Sequence, residues 1–386
     1  MNTVGGMIMH KLGYLGPQGT FSHTAALCWA RDHWYTPVCC ASLDAIFEQV
    51  ADGRLAAGLV PVENSLGGPV GETLDLLSTV QSIYITGELM LPVRQHLLAR
   101  PGVALSAIEK VYSHPQALAQ CRKFIKNNMP GATVVETVST AAAALTVAGS
   151  EEPWAAVGSE SAAHAYGLEI LVENSHDNPD NVTRFLMLGK ERAFTGSPAK
   201  TSLVLSVKDR PGALYRILRE FALRQVNLTR IESRPAGRKL GDYIFFIDLA
   251  GGEDEPKVAD ALRSVKENTL WLKILGCYEA AADNKAPDAA TTCGLDDLAF
   301  LRREIDLVDS EILQLLAMRQ SVVDRVAAVK KGRRLVIDHD REREIICRAR
   351  ESARQNNLDP EMVENIYRLI LRGSVHRQEQ LLAALR

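Results

Sequence analysis

Three hydrophobic rhythms succeed one another along the chain. Between Lys11 and Lys190, short apolar runs (KLGYLG, AAGLVPV, KVYSHP, TVVET, WAAVGS, TRFLMLG) alternate with stretches of helical spacing. That alternation predicts an α/β block with a largely parallel sheet. Two crossing points, near 85–95 and near 178–184, divide it into two lobes around a cleft, a place suited to a small polar ligand. From about 200 to 279 the pattern changes to strand (TSLVLSV), helix (PGALYRILREFAL), strand (VNLTRIES), strand (GDYIFFIDL), helix (EPKVADALRSVKE) and strand (LWLKILGCY). A βαββαβ order this short predicts an α+β ferredoxin-like unit. In its first strand Leu203, Leu205 and Val207 alternate with Ser202, Val204 and Ser206, as in a sheet with one helix-covered face.

The segment EAAADNKAPDAATTCG is poor in large apolar residues and reads as a linker. Beyond it the rhythm is wholly helical: a long helix over 296–331, a second from near Asp338, and a third behind Asp359–Pro360. The boundaries read as 10–195, 200–279, a linker at 280–294, and an all-α block at 295–386. In the long helix a three-then-four seam runs Leu301, Ile305, Val308, Ile312, Leu315, Arg319, Val322, Val326, Val329. Its sixth member is an arginine, and the residues around Arg319 on its own helix face cannot neutralise it. An ion pair that fixes register is one explanation. The surroundings favour another. Ser374 and Gln378 continue the face begun by Val363, Tyr367 and Ile370, Lys330 closes the long helix, and Arg341–Glu342 open the next. Donors and cations converge with few acids, so the partner expected is a small polyanion. Arg302 precedes Arg319 by 319 − 302 = 17 residues, roughly 26 Å along one helix axis. The two arginines meet over one ligand only if an antiparallel helix of a second copy brings its own Arg302 alongside.

The remaining sequence properties mainly exclude. A net charge of −3 gives no cause to expect nucleic acid or an anionic membrane as partner. No apolar run reaches the ~20 residues of a membrane span, and MNTVGGMIMHK lacks the basic and apolar regions of a signal peptide. Seven cysteines form no CxxC or Cys/His metal pattern, which points to a reducing, cytoplasmic setting without a metal or other cofactor.

The helical block resembles the all-helical chorismate mutases over its whole length, through Arg302, Arg319, Lys330, Asp338, Arg341–Glu342, Ser374 and Gln378. The resemblance implies that chorismate, a dicarboxylate, rearranges to prephenate in one pericyclic step without a nucleophile or base. Arg319, Arg341 and the second copy's Arg302 would hold carboxylates, Lys330 and Gln378 would donate to the breaking ether oxygen, and Glu342 would take the substrate hydroxyl. Asp338 and Ser374 complete the binding set.

In the first block, GYLGPQGTFSHTAAL (13–27), VPVENSLGGPVGETLDLL (60–77), SHPQALAQC (113–121) and NVTRFLMLG (181–189) each read singly as turn and capping chemistry. Together they resemble prephenate dehydratase, including its Thr-Arg-Phe at 183–185. That implies a two-lobed fold like the type-2 periplasmic binding proteins, with the active site in the cleft. Thr183 is then the catalytic hydroxyl, steering a proton to the departing ring hydroxyl. Thr20, Asn64, Ser65, Ser113 and His114 are candidate substrate binders. Strand alternation turns Arg184 to the opposite face, as a structural residue.

KDRPGALYRIL (208–218) and NLTRIESRP (227–235) resemble the ACT domain. Its helix start at Pro211–Gly212 leaves N–H groups free for an amino-acid carboxylate. The resemblance implies L-phenylalanine as feedback inhibitor at an ACT–ACT interface, held by Gly212, Ala213, Leu214, Asn227, Leu228, Glu232, Ser233 and Arg234. The chain is expected to be a homodimer or a higher homo-oligomer. An arogenate dehydratase and a non-catalytic phenylalanine-sensing binding protein are the rival readings.

Overall fold

The computed structural model describes residues 3–4, 7–8, 10–192, 199–236, 242–281, 298–329 and 339–383. They form two compact units, residues 1–290 and 291–386.

In the first unit, one lobe is built on a six-stranded sheet. Its main path runs Tyr35–Cys40, His10–Leu15, Ala57–Asn64, Val182–Gly189, Tyr84–Pro92. The second lobe is a five-stranded sheet in the order Thr133–Glu136, Lys110–Ser113, Trp154–Gly158, His96–Ala99, Glu169–Val172. The chain leaves the first lobe after Pro92 and returns at Val182, so each sheet is mixed rather than largely parallel. Val182–Gly189 runs antiparallel to both neighbours because it re-enters from the far lobe. His96–Ala99 runs antiparallel to both of its own neighbours. This is the two-lobed arrangement of the type-2 periplasmic binding proteins.

Local chemistry accounts for the elements. The helix Leu43–Ala51 begins where the Ser42 hydroxyl accepts the Ala45 N–H, and it buries Leu43, Ile46, Phe47 and Val50 along one stripe. Burying four such side chains contributes on the order of 6–12 kcal/mol before chain entropy is subtracted.

The unit that resembles an ACT domain has the expected βαββαβ order: Ala199–Ser206, helix Ala213–Leu223, Leu228–Pro235, Tyr243–Ala250, helix Pro256–Asn268, Trp271–Glu279. One face of its sheet packs Leu203, Leu205, Ile247 and Leu249 against Ile217, Phe221, Val258 and Val265 of the helices. The alternation predicts helix cover on one face alone. Instead Val204, Phe246, Leu275 and Tyr278 pack against Val62, Leu74, Ile85 and Leu186 of the first lobe. Ser202 and Ser206, the polar half of the alternation, are buried as well. The approach is closest at Gly276, where a Cβ would lie 2.1 Å from the Ile85 carbonyl oxygen.

The second unit consists of helices Leu298–Val329, His339–Gln355 and Pro360–Ala383. Asp359 caps the third by accepting the Glu361 N–H. Among the described side chains of the long helix the buried ones are Val323 and Ala327, while the predicted seam is bare: Ile305, Val308, Ile312, Leu315, Val322, Val326 and Val329 are 38–83% exposed. The side chain of Leu301 lies outside the described residues. A single copy of this unit does not cover its own apolar stripe.

Candidate active sites

The cleft between the two lobes has a volume of about 270 Å³. The returning strand pairs Thr183 with Asn64 and Arg184 with Glu63 on its neighbour. Pleating therefore puts the first pair on one face of the sheet and the second on the other. Thr183 and Asn64 line the cleft, together with Thr20, His114, Gln95 and Asn181. Among the described residues lining it there is no Asp, Glu, Lys or Arg.

The Asn64 side chain is held from both ends. Its Oδ1 accepts the N–H groups of Leu66 and Gly67 at 3.1 and 2.7 Å. Its Nδ2 must therefore face the other way, where it donates to Asn181 Oδ1 at 2.7 Å and to Thr183 Oγ1 at 2.9 Å. The Thr183 hydroxyl accepts that bond and donates to no partner among the described residues, which leaves its proton available to the cleft.

Thr20 is the N-cap of helix Phe21–His33 and accepts the His23 N–H. Burial lowers the pKa of His23 below the ordinary histidine range. Its Nδ1 accepts the Gly19 N–H and steadies the loop. Ser139 is the N-cap of Thr140–Ala148 and borders the same cleft. His114 caps the short helix Pro115–Gln120, its Nδ1 accepting the Gln116 N–H.

Two expected binders lie elsewhere. Ser113 is fully buried and donates to the Val157 carbonyl, because the strand alternation turns it beneath the sheet. Ser65 is outside the lining; its hydroxyl accepts the Val182 N–H and donates to the Asp180 carbonyl, fastening the returning crossover. Asn181, Gln95, Gln116, Gln120 and Ser139 were not singled out from sequence. All but Gln95 and Ser139 sit inside quoted motif segments, and that density of amides was the available signal.

On the reverse face Arg184 is buried, as its position in the strand predicts. Its guanidinium donates to Glu88 at 2.8 Å, to Asp248 and to the Tyr278 hydroxyl at 2.9 Å. Lys200 shares Glu88 at 2.6 Å, and Ser202 donates to Asp248 at 2.6 Å. Burial opposes both charges, but each outweighs it for the other: Asp248 keeps Arg184 protonated, and Arg184 holds the Asp248 carboxyl below its ordinary range. Beside them Arg230 Nε lies 2.9 Å from Glu63. The ACT sheet thus grips the back of the two strands that carry Asn64 and Thr183.

In the ACT domain Gly212 caps helix Ala213–Leu223 at φ 79°, a left-handed conformation that suits glycine, with no side chain on the helix N-terminus. Ala213 is buried. Leu228–Pro235 forms a sheet edge and exposes Ile231. Arg234, an expected effector residue, makes a two-pronged ion pair with Asp75 of the first lobe at 2.8 and 2.9 Å. Leu228 and Glu232 fall on the half-buried side of the same alternation, while Asn227 and Ser233 are exposed.

In the helical unit Arg319 donates to the Ser374 hydroxyl, which in turn donates to the Ile370 carbonyl at 2.7 Å. Gln378 lies one turn on; it is buried, and its Oε1 has no hydrogen-bond partner among the described residues. These three residues come together. Glu342 does not join them within one copy. It borders a separate cleft of about 330 Å³ between the second and third helices, with His339, Arg372 and His376. Arg341 pairs with Glu344 one turn away, since helical spacing makes that the nearer acid. Arg302 is exposed far up the long helix. Lys330 and Asp338 lie outside the described residues.

Family models match residues 12–193 as prephenate dehydratase, 201–267 as an ACT domain and 301–379 as chorismate mutase type II. The bifunctional chorismate mutase/prephenate dehydratase of Aquifex aeolicus is 44% identical over 272 residues, covering 70% of this chain and 74% of that one. The prephenate dehydratase of Methanocaldococcus jannaschii is 43% identical over 271 residues, 69% of this chain and 96% of that one. Among solved structures, a prephenate dehydratase from Arthrobacter aurescens in complex with L-Phe aligns at TM-score 0.67 and 38% identity, over 78% of this chain and 99% of that one. GqqA, described as a quorum-quenching acylase, aligns at TM-score 0.65 and 32% identity, over 70% and 98%. The chain belongs to the prephenate dehydratase family, and carries an ACT domain and a type II chorismate mutase domain on the same polypeptide.

Proposed function

We propose that the helical unit rearranges chorismate to prephenate, that the cleft converts prephenate to phenylpyruvate, and that phenylalanine at the ACT domain inhibits the second reaction. The observation that carries the dehydratase reading is the Thr183 hydroxyl, which accepts from Asn64 and keeps its proton for the cleft. In the reaction the ring hydroxyl leaves as water while the ring carboxylate leaves as CO2, and aromatisation supplies the driving force. Thr183 has only to hydrogen-bond the departing oxygen and direct a proton to it, since a threonine hydroxyl is too weak an acid to do more. Thr20 and His114 hold substrate from the loop and helix starts they cap.

For the mutase, Arg319 and Gln378 meet the substrate in one copy, and the partner subunit's Arg302 completes the site. The bare stripe from Ile305 to Val329 supports an antiparallel dimer, in which the same stripe of a second copy covers it and brings the distant arginine within reach. Lys330, Arg341 and Glu342 retain their implied roles in that assembly, as do Gly212, Leu214 and Glu232 in phenylalanine binding.

The test is a pair of absorbance assays on the full chain without added metal or cofactor. Chorismate is consumed and phenylpyruvate accumulates, and phenylalanine slows only the second step. Thr183→Val abolishes phenylpyruvate formation and leaves prephenate formation intact. A Thr183→Val enzyme with the wild-type dehydratase rate would refute the assignment.

A further inference from the structure

We infer that Asn181 is a positioning residue for the dehydratase reaction, setting the direction of the Thr183 hydroxyl through Asn64 and tying that pair to the opposite lobe through Gln120. The inference rests on the reading of Thr183 as the proton-directing group. Asn181 is 1% exposed although it borders the cleft, and both ends of its amide are used. Its Oδ1 accepts one Asn64 N–H at 2.7 Å, and its Nδ2 donates to Gln120 Oε1 at 3.1 Å. Backbone N–H groups fix which way the Asn64 amide points, so its two amino hydrogens are divided between Asn181 and Thr183. Each acceptor holds the other's bond in place. Without the Asn181 oxygen, the half-buried Asn64 amino group has the Val182 carbonyl at 3.3 Å as its other acceptor. Turning towards it draws the amide away from Thr183, whose hydroxyl is then free to spin and to accept rather than donate.

Asn181 stands where the chain returns to the first lobe, and Gln120 ends a helix of the second. At the same crossing the Asn181 carbonyl accepts the Val93 N–H at 2.7 Å, joining the two crossovers. The amide chain Gln120–Asn181–Asn64–Thr183 therefore spans the hinge, and the hydroxyl is aimed only when the lobes hold the spacing that keeps Gln120 in reach.

The experiment measures kcat and KM for prephenate separately in the full chain, per folded enzyme, for Asn181→Leu, Asn181→Asp and Thr183→Val. Asn181→Leu is expected to lower kcat by on the order of ten- to a hundredfold, the scale of a misplaced catalytic group, with KM changed by no more than about threefold. Asn181→Asp keeps an acceptor for Asn64, and the Gln120 amide can turn over to donate to it. It is expected to hold kcat within about threefold and to raise KM about tenfold, because it sets a negative charge beside an anionic substrate. A purely structural role would lower stability in both variants and leave kcat per folded enzyme unchanged. An Asn181→Leu enzyme with wild-type kcat, alongside an inactive Thr183→Val enzyme, overturns the positioning role and leaves the Thr183 reading intact. Retained kcat in Thr183→Val overturns that reading instead. If Asn181→Leu does not fold, Asn181→Asp decides: a kcat loss as deep as that of Thr183→Val, with the acceptor still in place, overturns the proposal.

Discussion

Replacing Asp248 with alanine removes one of the two carboxylates that neutralise Arg184 and Lys200 at the junction of the first lobe and the ACT sheet. Glu88 would then face two buried cations alone, and Ser202 would lose its charged acceptor, while Tyr278 keeps the bond from Arg184. Breaking a buried pair by deleting one member typically costs about 3–5 kcal/mol, because the surviving charge is left in a medium that solvates it poorly. Against a total stability of about 5–15 kcal/mol this is a large fraction. Urea unfolding followed by tryptophan fluorescence is the assay, with Trp271 in the last ACT strand as a local reporter. Asp248→Asn should cost less, since the amide keeps the shape and an acceptor. The two variants also separate in acid. Asp248 has a folded pKa below its unfolded value of 3.8, so it contributes stability above that value and loses it as pH falls towards the folded pKa. Wild type should therefore lose more stability than Asp248→Asn below about pH 4. An Asp248→Ala protein destabilised by less than about 1 kcal/mol would mean that water, not the carboxylate, satisfies Arg184, and the argument would fail.

Gly276→Ala should part the strands Trp271–Glu279 and Tyr84–Pro92, since the new methyl meets backbone rather than a yielding side chain. A loss of about 3 kcal/mol or more is expected in the same denaturation experiment, and a neutral effect would contradict the close approach. Arg319→Leu should abolish chorismate consumption while helix content by circular dichroism and the unfolding midpoint hold within about 1 kcal/mol, because Ser374 keeps its bond to Ile370. Unfolding of that variant would indicate a structural ion pair. Ile312→Glu with Leu315→Glu, both on the bare stripe, should eliminate mutase activity. A wild-type mutase rate in this double variant would refute the shared-site dimer.

How far the sequence carried the reading depends on the distance over which each feature is encoded. The period-two strand at 182–189 was enough to send Thr183 and Arg184 to opposite faces, because pleating is a local rule. The βαββαβ order and the Asp359–Pro360 helix start were legible for the same reason. Long-range facts were not. That Ser202 and Val204 are covered by another domain, that Arg234 is claimed by Asp75, and that Asn181 meets Gln120 across 61 residues all follow from how the lobes and sheets dock. Local periodicity says nothing of docking. The helical seam shows the converse case: its pattern was clear, yet within one copy its apolar side chains remain exposed, so the pattern encoded a surface and not an interior.

The back-to-back pairing of Asn64–Thr183 with Glu63–Arg184 also constrains how such a chain can be recombined. A graft of the sensor from a relative would carry Asp248 and Arg230 away from partners that stay behind in the catalytic sheet, next door to the reacting groups. Chimaeras cut between residues 192 and 199 should therefore work only when Glu63, Glu88, Arg184, Lys200, Arg230 and Asp248 are kept as a matched set. A single-residue insertion ahead of Thr183 would do worse, exchanging the hydroxyl for the guanidinium and leaving each domain holding the other's side chain.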